Sequence, residues 1–355
     1  MLNKKKTIAV IFGGSSTEYP VSLQSASAVL TYMNREKYHI IPIGITRKGE
    51  WYHYTGEIEK IQQDTWQWDE KDISPVVFSQ GPLQRGFMEF WGHTWKVTGV
   101  IEIDMVFPVL HGKNGEDGRL QGMFEMAGIP VIGCNTLASA LCMDKERAHK
   151  LVNQGGISVP KSVAFQGFDR EEAIEEIKEK LTLPLFVKPL RAGSSFGITR
   201  VTEMERLVDA LETAFQYDNE VIVEEAVSGF EVGCAVMGND VLTIGRVDEI
   251  ELSTGFFDYT EKYTLKSSKI HMPARILQEE EERIKNTAAK IYKILGCSGF
   301  ARVDMFYTPS GEIVFNEVNT IPGFTAHSRF PNMMKGIGLS FPQMLDRLTG
   351  LYDGN

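Results

Sequence analysis

The run Arg302-Val303-Asp304-Met305-Phe306, followed after a short polar turn by Ile313-Val314-Phe315-Asn316-Glu317-Val318-Asn319, decides the fold class of this chain. Both runs have the apolar and β-branched content of strands, and alternate residues of a strand share one face. Arg302 and Asp304 therefore project together, as do Glu317 and Asn319, and one face of a sheet presents two carboxylates, an amide and a guanidinium. Two carboxylates and an amide suit Mg²⁺, which takes one or two protein carboxylates and completes its shell with water and phosphate oxygens. The plainer alternative is a solvated hairpin. Against it stand Phe306, Val314 and Phe315, which imply a buried sheet where unpaired carboxylates are expensive.

Upstream, Val187-Lys188-Pro189 runs into Arg191-Ala192-Gly193-Ser194-Ser195-Phe196-Gly197, a strand ending in a basic loop rich in glycine and serine. Such a loop bares backbone N–H groups, and Lys188 adds a point charge, so it can cradle phosphate or be only a turn. Val223-Glu224-Glu225-Ala226-Val227 closes another strand at a domain joint, where carbonyls and N–H groups can clamp a planar base. Helical patterns over 137–152, 171–180 and 278–295 alternate with strands at 185–188, 220–223, 232–237 and 242–246, and a polar aromatic stretch spans 253–268. The central and C-terminal parts are thus mixed α+β.

The N-terminal part reads as an open α/β unit. Strand 7–12 ends at Gly13-Gly14, helix 21–33 follows, and strands 38–45 and 105–110, helix 118–127 and strand 129–132 complete it. Glu18, behind the glycine turn, can face the cleft and hold an ammonium, or merely start the helix as a dipole-stabilised acid. The loop His111-Gly112-Lys113-Asn114-Gly115-Glu116-Asp117-Gly118 leaves the carboxyl end of a buried strand, where open α/β sheets bind ligands; it can equally be a charged surface loop.

The 355 residues predict two or three packed units. We place them at 1–133, 134–227 and 228–355, with 253–268 as a loop inserted in the last. A net charge of −10 opposes general binding of nucleic acid or anionic membrane. Lys4-Lys5-Lys6 before a short apolar run superficially suggests a signal peptide, but the run stops at Gly13-Gly14, and no stretch is apolar enough to cross a bilayer. The expectation is a cytoplasmic protein. Cys134, Cys142, Cys234 and Cys297 lack metal-ligand spacing and read as reduced thiols.

Six ordered blocks together resemble the D-alanine–D-alanine ligases of the ATP-grasp fold across essentially the whole chain. They are Gly13-Gly14-Ser15-Ser16-Thr17-Glu18, His111-Gly112 through Leu120-Gln121-Gly122, Met143-Asp144-Lys145, Val187 through Gly197, Glu261-Lys262-Tyr263, and Arg302 through Phe324-Thr325. Phe257-Asp258-Tyr259-Thr260 and Phe324 to Met334 bring it nearest to the VanG-type D-alanine–D-serine ligases. The resemblance implies ATP-dependent joining of D-alanine to a second D-amino acid through a D-alanyl phosphate, in cell-wall precursor synthesis and vancomycin-type resistance. It also implies a homodimer and two Mg²⁺ ions, replaceable by Mn²⁺.

Carried over by position, Glu18 would hold the ammonium of the first D-alanine, linked to Ser194 and Tyr263, with His111 orienting the same substrate. Arg302 and the Gly323 N–H would stabilise the oxyanion. Lys145, Lys188, Ser195 and Lys262 would meet the phosphates, Glu224, Glu225 and Val227 the adenine, Glu231 the ribose. Asp304, Glu317 and Asn319, with Asn316 beside them, would face metal and nucleotide. Ser328 would take the second substrate's carboxylate, and Arg329, where D-alanine ligases carry an apolar residue, would favour D-serine. Pro20, Ala192 and Ala226 depart from the family pattern without removing a proposed chemical group. Two alternatives stay open: a plain D-alanine–D-alanine ligase, and a non-catalytic ATP-binding sensor. Retention of Tyr263 disfavours D-lactate.

Overall fold

The computed structural model describes residues 5–81, 85–91, 96–167, 170–193, 196–252, 268–325 and 327–354. Three sheets follow one another along the chain. The first is built from β1 (Lys6–Gly13), α1 (Tyr19–Tyr32), β2 (Tyr38–Ile45), β3 (Trp51–Tyr54), α2 (Ile58–Gln62), β4 (Ile73–Ser79), β5 (Gly86–Phe90), β6 (Val97–Glu102), β7 (Met105–Val109) and α3 (Arg119–Met126). Its order is β6-β5-β4-β3-β2-β1-β7. Only β2, β1 and β7 are parallel. The strands β3 to β6 extend the sheet antiparallel, and sequence reading passed over them. β1 lies between β2 and β7, so the loops leaving β1 and β7 flank a switch point of the parallel strands, the usual ligand position in such sheets. Residues 129–132, expected as a strand, form only an isolated bridge from Val131 to Val106.

The expected helix over 137–152 is two helices, α4 (Thr136–Met143) and α5 (Lys145–Gln154). Asp144 has extended φ/ψ between them and its carboxylate accepts from the Arg147 N–H, so it caps α5 at the cost of helical continuity. Next come β8 (Ser162–Gln166), α6 (Arg170–Lys180), β9 (Leu185–Pro189), β10 (Thr199–Val201), α7 (Leu207–Phe215) and β11 (Glu220–Glu225), whose strands form a sheet ordered β10-β9-β11-β8. The third sheet, β14-β13-β12-β15-β16, uses β12 (Phe230–Met237), β13 (Thr243–Leu252), β14 (Ser268–His271), β15 (Phe300–Tyr307) and β16 (Ile313–Asn319). Helix α8 (Gln278–Ile294) packs on it, and α9 (Arg329–Lys335) and α10 (Phe341–Gly350) end the chain's regular structure. This alternation of open α/β and α+β layers is the class expected.

The cores explain how the sheets are joined. Phe107 of β7 meets Phe324 at 5.9 Å and Phe300 at 6.0 Å, so the first sheet and the C-terminal part share one apolar cluster. The middle sheet has a separate and smaller core of Val187, Val221, Val223, Leu207 and Leu211 beside Ile177. Among the described residues no helix is long and apolar enough to cross a membrane.

Candidate active site

A cleft of about 480 Å³ separates the middle sheet from the third. Its apolar walls include Phe186, Ile198 and Phe306, and its polar lining includes Lys145, Lys188 and Glu224. Lys188 on β9 and Glu224 on β11 lie on neighbouring strands, and the Lys188 ammonium donates to Glu224 Oε2 at 2.6 Å. Burial pushes the Glu224 carboxyl up, but Lys188, with help from His149 and Lys145, outweighs it and holds the group below the ordinary range. Its other oxygen, Oε1, is buried and has no hydrogen-bond partner among the described residues. A buried acceptor without a donor is costly, and next to aromatic walls it fits the exocyclic amine of adenine. Behind it, His149 Nε2 donates to the Asn316 carbonyl at 2.8 Å, leaving Nδ1 3.9 Å from Oε1. Sequence reading missed His149.

Lys145 donates to the Ala192 carbonyl at 2.9 Å, so it braces the glycine-serine loop. Glu225 does not turn its carboxylate to the base: Oε1 accepts from the Thr182 N–H and hydroxyl at 2.8 and 3.0 Å. Glu225 and Val227 both line the cleft. Glu231 lines the cleft as expected of a ribose ligand, but it also accepts from Arg329 at 3.0 Å.

Across the cleft, β15 and β16 pair Arg302 with Asn319 and Asp304 with Glu317, which puts the four side chains on one face. The register then slips: Met305 pairs with Phe315, and Asn316 is an extra residue in a bulge. That bulge is why Asn316 and Glu317, adjacent in sequence, both line the cleft. Arg302 grips Asp304 with Nε at 2.8 and 3.0 Å and Nη2 at 2.7 Å, and Asn319 donates to the same carboxylate at 2.9 Å. Among the described residues no three Asp, Glu, His or Cys side chains form a group that could hold a metal ion by themselves. The donor set is therefore two carboxylates and an amide, too few to cage an ion alone and right for Mg²⁺ shared with phosphate oxygens.

Arg329, expected to meet the second substrate's hydroxyl, is held by carboxylates instead. Nε and Nη2 donate to Asp248 at 2.8 Å each, Nη1 to Glu231, and Asp304 lies 3.4 Å away. Asp248, fully buried on β13, was not singled out from sequence; an acid inside the apolar alternation Val247-Asp248-Glu249-Ile250 was the available signal.

Glu18 is buried at the N-terminus of α1 but makes no capping bond with its side chain. Its carboxylate lies against Gly112 and Gly193, and Gly112, at φ +72°, also has a left-handed backbone that favours glycine. His111 is 4% exposed and has both ring nitrogens engaged: Nδ1 donates to the Ile321 carbonyl at 2.8 Å and Nε2 meets the Ser25 hydroxyl at 3.1 Å. In this arrangement His111 would meet the first substrate only by giving up one of these two bonds. The Gly323 N–H has no acceptor among the described residues, as an oxyanion donor requires. Ser328 caps the Thr325 turn, its Oγ accepting from the Thr325 N–H at 3.0 Å. Ser194, Ser195, Lys262 and Tyr263, and residues 253–267 of the expected lid, lie outside the described residues.

With Lys145 and Lys188 on one side of the cleft and Glu317 on the other, a nucleotide bound there would set its phosphates between them. That layout, a nucleotide gripped between two α+β layers with its acceptor supplied by an N-terminal α/β sheet, is that of an ATP-dependent ligase of the ATP-grasp class. Comparison with known proteins narrows the class: the D-ala D-ala ligase N-terminus family matches residues 7–134 and the D-ala D-ala ligase C-terminus family residues 151–350. The chain belongs to the D-Ala–D-Ala ligase family. It is 69% identical to the crystal structure of the VanG D-Ala:D-Ser ligase from Enterococcus faecalis, at a TM-score of 0.92, covering 98% of this chain and 100% of that one. The vancomycin B-type resistance protein VanB of Enterococcus faecalis is 44% identical over 355 residues, 99% of each chain. A D-alanine–D-alanine ligase of Caldicellulosiruptor bescii is 41% identical over 353 residues, 98% of this chain and 95% of its own.

Proposed function

We propose that the protein joins D-alanine to D-serine, using ATP and two Mg²⁺ ions, for which Mn²⁺ can substitute, in making peptidoglycan precursors that resist vancomycin-type antibiotics. The Arg329 guanidinium is spent on Asp248 and Glu231, so it does not itself carry the choice of D-serine. The observation that carries that choice is the 69% identity, over 98% of this chain, to the VanG D-Ala:D-Ser ligase. The geometry supports the following division of labour. Glu18 takes the ammonium of the first D-alanine, Lys145 and Lys188 meet the nucleotide phosphates, and Glu224 Oε1 reads the adenine amine. Asp304, Glu317 and Asn319 hold magnesium, which would neutralise charge on the phosphates. Arg302 and the Gly323 N–H face the oxyanion that forms when the second amine attacks. Such positioning and charge are most of what phosphoryl and acyl transfer require. We read residues 1–133, 134–227 and 228–355 as the units that carry these parts, and a homodimer as the working form.

A second reading, ligation of two D-alanines, is favoured by the likeness to D-alanine–D-alanine ligases. Phosphate release from ATP with Mg²⁺ and D-alanine, with D-serine, further D-alanine or D-lactate in excess, separates the two. A polar group left unpaired by D-alanine disfavours it by about 1–3 kcal/mol, a preference for D-serine of roughly tenfold to a hundredfold in kcat/KM. Preference for D-alanine at neutral pH would establish the second reading instead.

A further inference from the structure

The turn that presents Gly323 is gripped from outside by three buried side chains, one from α1 and two from the loop after β7, and hydrogen-bond directions can be assigned to nearly all of the grip. The Ile321 carbonyl can only accept, so His111 Nδ1 carries the proton that reaches it at 2.8 Å. Burial, joined by the charge of Arg302, pulls the His111 pKa down to about 4, so the ring is neutral and Nε2 is an acceptor. Ser25 must then donate its hydroxyl proton to Nε2 at 3.1 Å, which leaves the Ser25 oxygen to accept from the Phe324 N–H, also at 3.1 Å. On the other side Glu116 spans two loops: Oε1 accepts from the Ile321 N–H at 2.9 Å and Oε2 from the Gly112 N–H at 2.8 Å.

Three main-chain groups flanking Gly323, the N–H and C=O of Ile321 and the N–H of Phe324, are thus fixed by residues that precede them by about two hundred positions or more. The residues themselves are out of water: Ser25 is 0% and Glu116 9% exposed. Nothing in this set touches the nucleotide cleft. We infer that Ser25, His111 and Glu116 form a clasp that positions the Gly323 N–H for the oxyanion, and that His111 acts on this turn rather than on the substrate. The three are positioning residues: they set the direction of a donor and touch no reacting atom. Because Glu116 also holds Gly112, against which the Glu18 carboxylate rests, the clasp ties the first-substrate corner to the oxyanion corner. A donor misdirected by a fraction of an ångström loses much of its effect, since stabilisation depends on where the oxyanion will lie.

The inference rests on the ligase reading above, and the experiment separates the two. Phosphate release by the unsubstituted protein with ATP, Mg²⁺, D-alanine and D-serine or D-alanine as second substrate is measured first; none with either would overturn the ligase reading itself. Ser25→Ala, Glu116→Gln and the double variant are then compared. Glu116→Gln keeps one acceptor but turns an NH₂ toward an N–H, while Ser25→Ala removes one oxygen and leaves the helix intact. Each single variant is expected to lower kcat at least tenfold with KM for ATP within twofold. The double variant is expected to lose no more than about the larger single loss, because both act through one turn. The clasp is overturned by folded variants that keep kcat within twofold, by a KM for ATP that rises in step with the fall in kcat, or by losses that multiply. Should Glu116→Gln fail to fold, the kcat and KM of Ser25→Ala decide alone.

Discussion

Arg329 shows how one side chain can be right in place and different in task. Its guanidinium is nearly buried among Asp248, Glu231 and Asp304, and burial, which opposes its charge, is overcome by those carboxylates. Replacing it with leucine therefore does two things at once. It removes the cation held between Asp248, Glu231 and Asp304, and among the described residues it leaves the fully buried Asp248 with only the Gly233 N–H as partner. Breaking a buried pair from one side costs about 3–5 kcal/mol. We expect Arg329→Leu to lower stability by that amount in urea unfolding, and Asp248→Asn in the same chain to restore part of it. A leucine variant as stable as the parent would mean that the Arg329–Asp248 pair carries no net stabilisation. Substrate preference is better read from the unsubstituted protein than from this variant.

At the scale of elements, the pair β15–β16 separates two acids that look equivalent in sequence. Asp304 is 1% exposed and answers Arg302, Arg329 and Asn319, while Glu317 lines the open cleft. Glu317→Gln should weaken Mg²⁺-dependent nucleotide binding in calorimetry and lower the melting temperature less than Asp304→Asn does. Asp304→Asn should lose both, since two buried guanidiniums lose charge compensation. Equal melting temperatures for the two variants would contradict this assignment. The one-faced array was legible beforehand because strand alternation is a property of the local chain. The bulge at Asn316 was not, because it depends on how two strands register, nor was Asp248, whose partner lies 81 residues away. Helix α8 and strands β1, β2, β12 and β15 were legible from strong periodicity or apolar runs. Strands β4 to β6 were not, because much of each lies half-buried or exposed, which dilutes the apolar pattern. The clasp residues Ser25 and Glu116 looked like an ordinary helix serine and a loop acid for the same reason as Asp248: their partners lie about two hundred residues or more away in sequence.

For the whole molecule, the unequal sharing of cores sets which part moves and what a nucleotide stabilises. The first and third sheets share the Phe107, Phe300 and Phe324 cluster, whereas the middle sheet is packed on its own core and faces the third across the nucleotide cleft. A ligand that binds only the folded chain stabilises it by about 2.7 kcal/mol at a hundred times its dissociation constant. For a protein of this size that corresponds to a rise in melting temperature of roughly 4 °C. The gain should not be spread evenly. Lys188 and Glu224 on the middle sheet and Glu317 on the third are all on the cleft, so bound nucleotide links the separately packed layer to the rest. Hydrogen exchange without ligand should show β8 to β11 opening at lower free energy than β1, β7 and β15, as small separate cores do. Adding Mg²⁺ and a non-hydrolysable ATP analogue should slow exchange most in β9 and β11, less in β16, and least in β3 to β6, which lie on the far side of the first sheet. Uniform protection across all three sheets would mean that the chain opens as one unit, and protection centred on β3 to β6 would place the nucleotide elsewhere.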